Sequence, residues 1–308
     1  MAAALFLAAC SRPGNQASTT PATTSVTTTP GPRIISTVPA ATLNLVLLGA
    51  ADRLVGVTRY DDIILPDPQK NLPVVGDYET MDYERLITLH PSALIIQTAE
   101  ARLSPRLRDL AASHNIQLVN IKLDTLDDLW NTIDQLGQIS GKQLAATQAI
   151  ATAKADLDAL QSQTKSLPHP RTLYALSQNP VMIVGDHTFV DQMLTIAGAD
   201  NLGKTIGNAY PIVGLETVVK LAPDVLLISA PGEPAQTPDD PRLAKWLQLP
   251  IPAARNHRVY LITDPNSLMA STEVAQNVRD IAELLHPDLS ASPPSTQPPP
   301  SPTHPGAP

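Results

Sequence analysis

The residues of this chain that most invite a functional reading are three tyrosines and two glutamates. Tyr60, Tyr78 and Tyr210 stand beside Pro, Gly or Asp rather than inside periodic apolar segments, in a chain with only two Trp, two Phe and six Tyr. A loop tyrosine can line a cleft, because its ring gives broad contact at low entropic cost and its hydroxyl is satisfied by water or ligand. Ordinary loop packing would leave the same signature. Glu84 and Glu216 each fall in the first turn of an expected helix. An acidic residue there complements the helix dipole, contributing about 0.3–1 kcal/mol. Two carboxylates at equivalent places would also suit a partner built from two like subunits, each carboxylate entering an Arg-lined pocket through charge-assisted hydrogen bonds.

That equivalence is written in the sequence. Tyr83 to Ile96 reads YERLITLHPSALII, and 132 positions later Leu215 to Ile228 reads LETVVKLAPDVLLI, with five of fourteen positions identical. Gly49 to Leu54 and Gly198 to Leu202 form a fainter pair, GAADRL against GADNL. Two related lobes follow from this, although helix-Pro-strand units resemble one another in many proteins.

Catalytic signatures are absent from the sequence. It holds no Gly-x-Ser-x-Gly, no Walker loop, no Gly-x-Gly-x-x-Gly and no His-Glu-x-x-His. Its seven histidines are scattered without ligand spacing, and Cys10 is the only cysteine, so no disulfide framework or cysteine metal site is expected. The expectation is a protein without catalytic residues, resident metal or cofactor, an α/β enzyme of unknown reaction being the distant alternative. A net charge of -8 with no basic run argues against nucleic acid.

Cys10 is informative by position. Ala2 to Ala9 is apolar and ends Leu7-Ala8-Ala9-Cys10, matching the bacterial lipobox at which a signal peptide is cut and the thiol lipidated. A Thr/Pro/Ser spacer from residue 11 to 32 follows as a tether would. Only nine residues precede the cysteine and none is Lys or Arg, which fits a start codon assigned too late; an accidental cysteine in an apolar scrap is the plainer alternative. Residues 290–308 are mostly Pro and Ser and read as a disordered tail.

The elements that must position these residues lie between Arg33 and Leu289. Strands are expected from Arg33 to Val38 and at Leu54 to Val57, Ala93 to Ile96 and Ile116 to Ile121. Among them sit helices ending at Leu48 before Gly49, at Ser104 to His114 and at Leu126 to Ile139. Gly141 to Leu167 has no Pro or Gly after its first residue and reads as one helix of roughly 39 Å, stopped by Pro168. Strands at Thr172 to Leu176, Met182 to Val184, Val225 to Ser229 and Val259 to Ile262 then alternate with helices at Phe189 to Ala197, Arg242 to Leu247 and Thr272 to Leu285. The pattern predicts an α/β protein with mostly parallel sheets: two Rossmann-like lobes, 33–139 and 168–289, joined by a long helix over 140–167 into a bilobed clamshell.

With those residues in place, the folded region resembles the cobalamin and iron-chelate binding proteins of ABC importers. The most specific segments are Leu48-Gly-Ala-Ala-Asp-Arg-Leu-Val-Gly-Val57, Tyr83-Glu-Arg-Leu86, His90-Pro91, Gly198-Ala-Asp-Asn-Leu-Gly203 and Arg258-Val-Tyr-Leu261. The resemblance implies a substrate-binding protein outside the cytoplasm, held to the membrane by its lipid. It would deliver a chelate to a permease dimer whose ATPase subunits drive release. By this resemblance Glu84 and Glu216 dock on permease arginines, and Tyr60, Tyr78 and Tyr210 cover a corrin ring. Asp264 matches a polar residue near the ligand, while Leu176 and Met182 stand where two further cleft aromatics are usual. Thr42-Leu43 also replaces a common Thr-Glu pair. Cobalamin is the implied cargo. Haem relatives use a cleft tyrosine too, so Tyr78 does not separate the two. For a ferric siderophore, Arg59 and Arg102 would be the basic groups.

Overall fold

The computed structural model describes residues 31–77, 80–232 and 240–291, so the expected lipidation site Cys10 and the expected cleft residue Tyr78 lie outside the described residues. Short Ile/Val/Leu runs form two sheets. In the first, β1 (Ile34–Ser36), β2 (Leu54–Gly56), β3 (Ala93–Ile96) and β4 (Gln117–Asn120) pair in the order β2-β1-β3-β4, all parallel. The second contains β5 (Arg171–Gln178), β6 (Val181–Ile183), β7 (Asp200–Asn201), β8 (Ile212–Val213), β9 (Val225–Ser229) and β10 (Val259–Ile262). Its order is β10-β9-β5-β6-β8, with β7 also pairing with β5. Here β9 runs parallel to β5 and β10, while β6 is antiparallel to both β5 and β8. This antiparallel corner is the one departure from the expected parallel pattern.

Helices cover both faces of each sheet. They are α1 (Pro39–Leu47), α2 (Tyr83–Thr88), α3 (Pro105–Ser113), α4 (Leu126–Ser140), α5 (Gln143–Thr164), α6 (Phe189–Ile196), α7 (Leu215–Leu221), α8 (Ala244–Leu247), α9 (Pro252–Arg255) and α10 (Val274–Leu285). The long helix α5 is shorter than the expected Gly141 to Leu167: its 22 residues span about 33 Å. Gly141 adopts a left-handed φ of 73° and closes α4 instead, with its N–H and that of Lys142 returning to the Gln138 and Gly137 carbonyls. Gly137 lets the two helices meet closely, since a Cβ there would stand 2.5 Å from that of Ala146.

Period-two alternation along each strand assigns the cores. Ile35, Leu94 and Ile96 face α2 and α3 in one cluster with Leu86, Leu107 and Ala111. Leu173, Ala175, Leu226 and Ile228 face α7, α8 and α9 in another, with Val218, Trp246 and Ala253. The remaining faces share one core. Ile34, Ile95 and Val119 of the first sheet join Tyr174, Val225 and Leu227 of the second through Leu45 of α1, Leu129 and Ile133 of α4, Leu157 of α5, Met193 of α6 and Ile281 of α10.

A buried amide reinforces that shared core. Asn44 of α1, 0% exposed, donates from Nδ2 to the Ala270 carbonyl at 2.9 Å and to that of Ala40 at 2.7 Å, and its Oδ1 accepts from the Thr272 N–H at 3.1 Å. Both outer partners precede α10, so one side chain ties the first lobe to the segment that enters the last helix. Asn44→Ala would strand a buried carbonyl and a part-buried N–H; equilibrium denaturation should show a loss of roughly 2–4 kcal/mol.

His286 closes the far end of α10 in a similar way. Its buried ring sets Nε2 3.1 Å from the Ala197 carbonyl, and burial lowers its pKa below the ordinary 6.5. A depressed histidine pKa stabilises the fold above the unfolded-state value, and this contribution is lost as pH falls through the folded one. Stability measured by urea titration should therefore decline below about pH 6.5, with a shallower decline in His286→Gln.

Candidate functional site

In open α/β sheets the loops at the carboxyl ends of parallel strands form the ligand crevice. From the first sheet, the loop after β2 carries Arg59 and Tyr60, and the segment after β4 leads through Asp124 into α4. From the second, Leu176 lies among the last residues of β5 and β10 runs into Asp264.

Tyr60 is 44% exposed. The Arg59 guanidinium lies over its ring, 4.9 Å from the centroid, and donates to its hydroxyl at 2.8 Å. The Asp77 carboxylate stands 3.0 Å from the same guanidinium. Arg59 is therefore charge-matched within its own lobe. Arg102 is exposed.

Next to Tyr60 in the chain, the fully buried Asp61 accepts from the Thr58 N–H at 2.6 Å and holds the turn. Burial pushes its carboxyl above the usual range, against the pull of the Thr58 hydrogen bonds. Sequence reading passed over this residue, whose only signal is the Thr-x-x-Asp spacing of a side-chain-closed turn.

Tyr210, 42% exposed, follows the αL residue Gly207. Burial raises its phenol pKa above 10.0, the Asp124 carboxylate of the first lobe raises it further, and a hydrogen bond with Thr188 lowers it. Leu126 at the entry to α4 donates its N–H to Gln192 Oε1 of α6 at 2.7 Å.

Leu176, Met182 and Tyr210 share the antiparallel corner of the second sheet. Met182 pairs with Ser177, next to Leu176, and with Ile212, while the Ile183 N–H donates to the Pro211 carbonyl beside Tyr210. Leu176 and Met182 are partly buried. Asp264 is exposed on a turn of its own: its carboxylate accepts from the Asn266 N–H at 2.8 Å, and its carbonyl accepts from Ser267 Oγ at 2.7 Å.

The Gly-Ala-Asp-Asn-Leu segment explains how this corner is held. Buried Asn201 donates to the Gly185 carbonyl at 3.2 Å and to Asp191 Oδ1 at 2.9 Å, and accepts from the Gly203 N–H at 3.1 Å. Lys204 completes the network, 3.0 Å from Asp191. A cavity of about 500 Å³ opens alongside, lined by Thr125, Leu126, Gln161, Asp191, Gln192 and Lys204 among others. None of Tyr60, Leu176, Met182, Tyr210 or Asp264 lines it, so the expected cleft residues and this cavity are distinct features.

Glu84 and Glu216 occupy the first turns of α2 and α7, as expected. Both are exposed, and neither carboxylate makes an ion pair among the described residues. No group of three or more His, Cys, Asp or Glu is arranged to hold a metal ion among the described residues. No helix among them is long and apolar enough to cross a membrane.

Two α/β sheets joined through a long helix, with tyrosine-bearing loops at strand ends, give the two-lobed architecture of a solute-binding protein. The family model described as periplasmic binding protein matches residues 34–265, and the chain belongs to that family. A vitamin B12-binding protein of Vibrio parahaemolyticus is 27% identical over 259 residues, covering 82% of this chain and 91% of the relative. An uncharacterized ABC transporter substrate-binding lipoprotein of Bacillus subtilis is 26% identical, covering 83% and 80% respectively. Among solved structures, a periplasmic heme-binding protein of Vibrio cholerae superposes with a TM-score of 0.70 at 26% identity, covering 83% of this chain and 99% of its own. The family is extracytoplasmic and binds solutes.

Gly185 tests how tightly the corner is built. A Cβ there would stand 1.7 Å from the Asn208 carbonyl oxygen, so Gly185→Ala must push the Tyr210 loop away. Hydrogen exchange should quicken at residues 207–211, with a stability loss of about 1–3 kcal/mol.

Proposed function

We propose that this chain is the substrate-binding component of an ABC importer that captures a corrinoid, cobalamin being the cargo that fits best, in the cleft between its lobes. What carries the reading is the pair of half-exposed tyrosines on strand-end loops of opposite lobes, Tyr60 and Tyr210, with Tyr210 close enough to Asp124 of the other lobe to feel its charge. Flat aromatic faces suit a macrocycle, and the partly buried Leu176 and Met182 add an apolar wall. Tyr78 belongs to the same proposed set, and Asp264 supplies a hydrogen-bonding edge. The vitamin B12-binding relative supports this cargo.

In this reading the chain performs no catalysis. Glu84 and Glu216, exposed without ion pairs among the described residues, dock the loaded protein on the permease, and ATP hydrolysis in the partner subunits drives release. Cys10 carries the lipid anchor that keeps the protein at the membrane surface, a role supported by the lipoprotein relative. A second reading, haem or a ferric siderophore as cargo, is favoured by the heme-binding neighbour, and the pairing of Arg59 with Asp77 weakens its anionic-siderophore branch.

Calorimetric titration with cyanocobalamin, haemin and a ferric siderophore tests the cargo. Tight one-to-one cobalamin binding is expected, weakened roughly 10- to 100-fold in Tyr60→Ala or Tyr210→Ala. Tight binding of haemin instead would replace the cargo, and binding of none of the three would overturn the importer reading.

A further inference from the structure

The two glutamate helices are each held at their far ends by an arginine from the first strand region of their own lobe. Arg33, immediately before β1, donates from Nη2 to the Leu89 carbonyl at 2.6 Å and from Nε to the Leu89 and His90 carbonyls at 3.1 and 3.2 Å. Arg171, which opens β5, donates from Nη2 to the Leu221 carbonyl at 2.8 Å and from Nη1 to the Ala222 carbonyl at 3.2 Å. Leu89 and Leu221, and His90 and Ala222, are separated by the same 132 positions as Glu84 and Glu216.

The surrounding geometry repeats as well. His90 and Ala222 are both left-handed, with φ of 45° and 47°, and each is followed by proline. The Arg33 N–H bonds to Ser92 Oγ at 3.0 Å and the Arg171 N–H to Asp224 Oδ2 at 3.3 Å, again 132 positions apart. The Ser92 and Asp224 N–H groups return to the Arg33 and Arg171 carbonyls at 2.8 and 2.7 Å.

Helices of six and seven residues leave most of their terminal carbonyls unpaired, and a guanidinium satisfies several while opposing the negative end of the dipole. An isolated helix this short is not stable by itself, so its orientation depends on such anchors.

We propose that Arg33 and Arg171 are the paired positioning residues of the docking surface, each fixing a glutamate helix to the root of its sheet so that Glu84 and Glu216 keep a set separation and direction. This rests on the docking reading above. Neither arginine touches the ligand loops, so the brace governs coupling to the permease rather than capture of the cargo.

The test uses the full-length protein with its cognate permease and ATPase subunits in proteoliposomes, reading the concentration of loaded protein that half-maximally stimulates ATP hydrolysis, beside the calorimetric Kd for cargo. Arg33→Gln and Arg171→Gln should each raise the half-maximal concentration roughly five- to tenfold, with cargo Kd unchanged. Arg33→Lys and Arg171→Lys, which keep the charge and fold more securely, should recover part of the loss. Arg33→Gln should be non-additive with Glu84→Gln and additive with Glu216→Gln, and Arg171→Gln the reverse. Wild-type coupling in the arginine variants, a parallel loss of cargo affinity, or additivity within a lobe would overturn the proposal. Failure of Glu84→Gln and Glu216→Gln to affect coupling would sink the docking reading itself, which the arginine variants alone do not decide.

Discussion

The organisation of this protein depends on one hydrophobic core that does not stop at the boundary between its sheets. Each sheet spends one face on its own outer helices, and these two cores are separate. The opposite faces drain into a single cluster running from Ile34 and Ile95 through α1, α4, α5, α6 and α10 to Tyr174 and Leu227. Opening the lobes widely would expose apolar surface at a cost of about 25 cal/mol per Å². It would also break the hydrogen bonds of the buried Asn44 to Ala270 and Thr272. The fold thus favours a nearly fixed frame over a loose hinge.

A fixed frame moves the burden of recognition onto its loops. Tyr60 lies in a turn closed by the buried Asp61 carboxylate and under the Arg59 guanidinium, and Tyr210 is set by a corner in which Gly185 and Gly203 admit no Cβ. Both rings remain substantially exposed, as the proposed contact with a ligand requires. Such preorganisation lowers the entropy lost when a large, flat ligand binds. The surface that presents Glu84 and Glu216 lies on the outer helices, which pack in cores separate from the shared one. In the proposed function, capture and delivery therefore draw on different parts of the molecule.

Much of this was legible in the sequence because periodicity reports burial. The runs Ala93 to Ile96 and Val225 to Ser229 became central strands with the same limits, and the repeated Glu segments became equivalent helices. The long helix was visible, but its start was misplaced because Gly141 reads equally as a helix beginning or a left-handed end; its φ of 73° decides for the latter. The two-residue strands β7 and β8 carry too few residues for a period to declare itself, whereas β6 lies within one residue of its expected limits.

The positions of Tyr60 and Tyr210 in loops were readable, but what holds them was not. Asn201 and Asn44 work through contacts with distant backbone, which nothing in their immediate neighbours signals, while Asp61 closes a local turn on the Thr58 N–H whose only trace is the Thr-x-x-Asp spacing. Arg59 shows the converse: a lone basic residue in sequence becomes half of an ion pair once Asp77 folds against it.

The central claim, that the shared core keeps the lobes at nearly constant separation, is tested most directly by pulsed electron paramagnetic resonance. Spin labels at Asp109→Cys on α3 and Lys220→Cys on α7, both exposed sites, would report the distance in a background where Cys10, the only native cysteine, is replaced by Ser. The account predicts one narrow distribution that shifts by no more than about 2 Å when cyanocobalamin saturates the protein. Two separated populations without ligand, collapsing into one on binding, would contradict it.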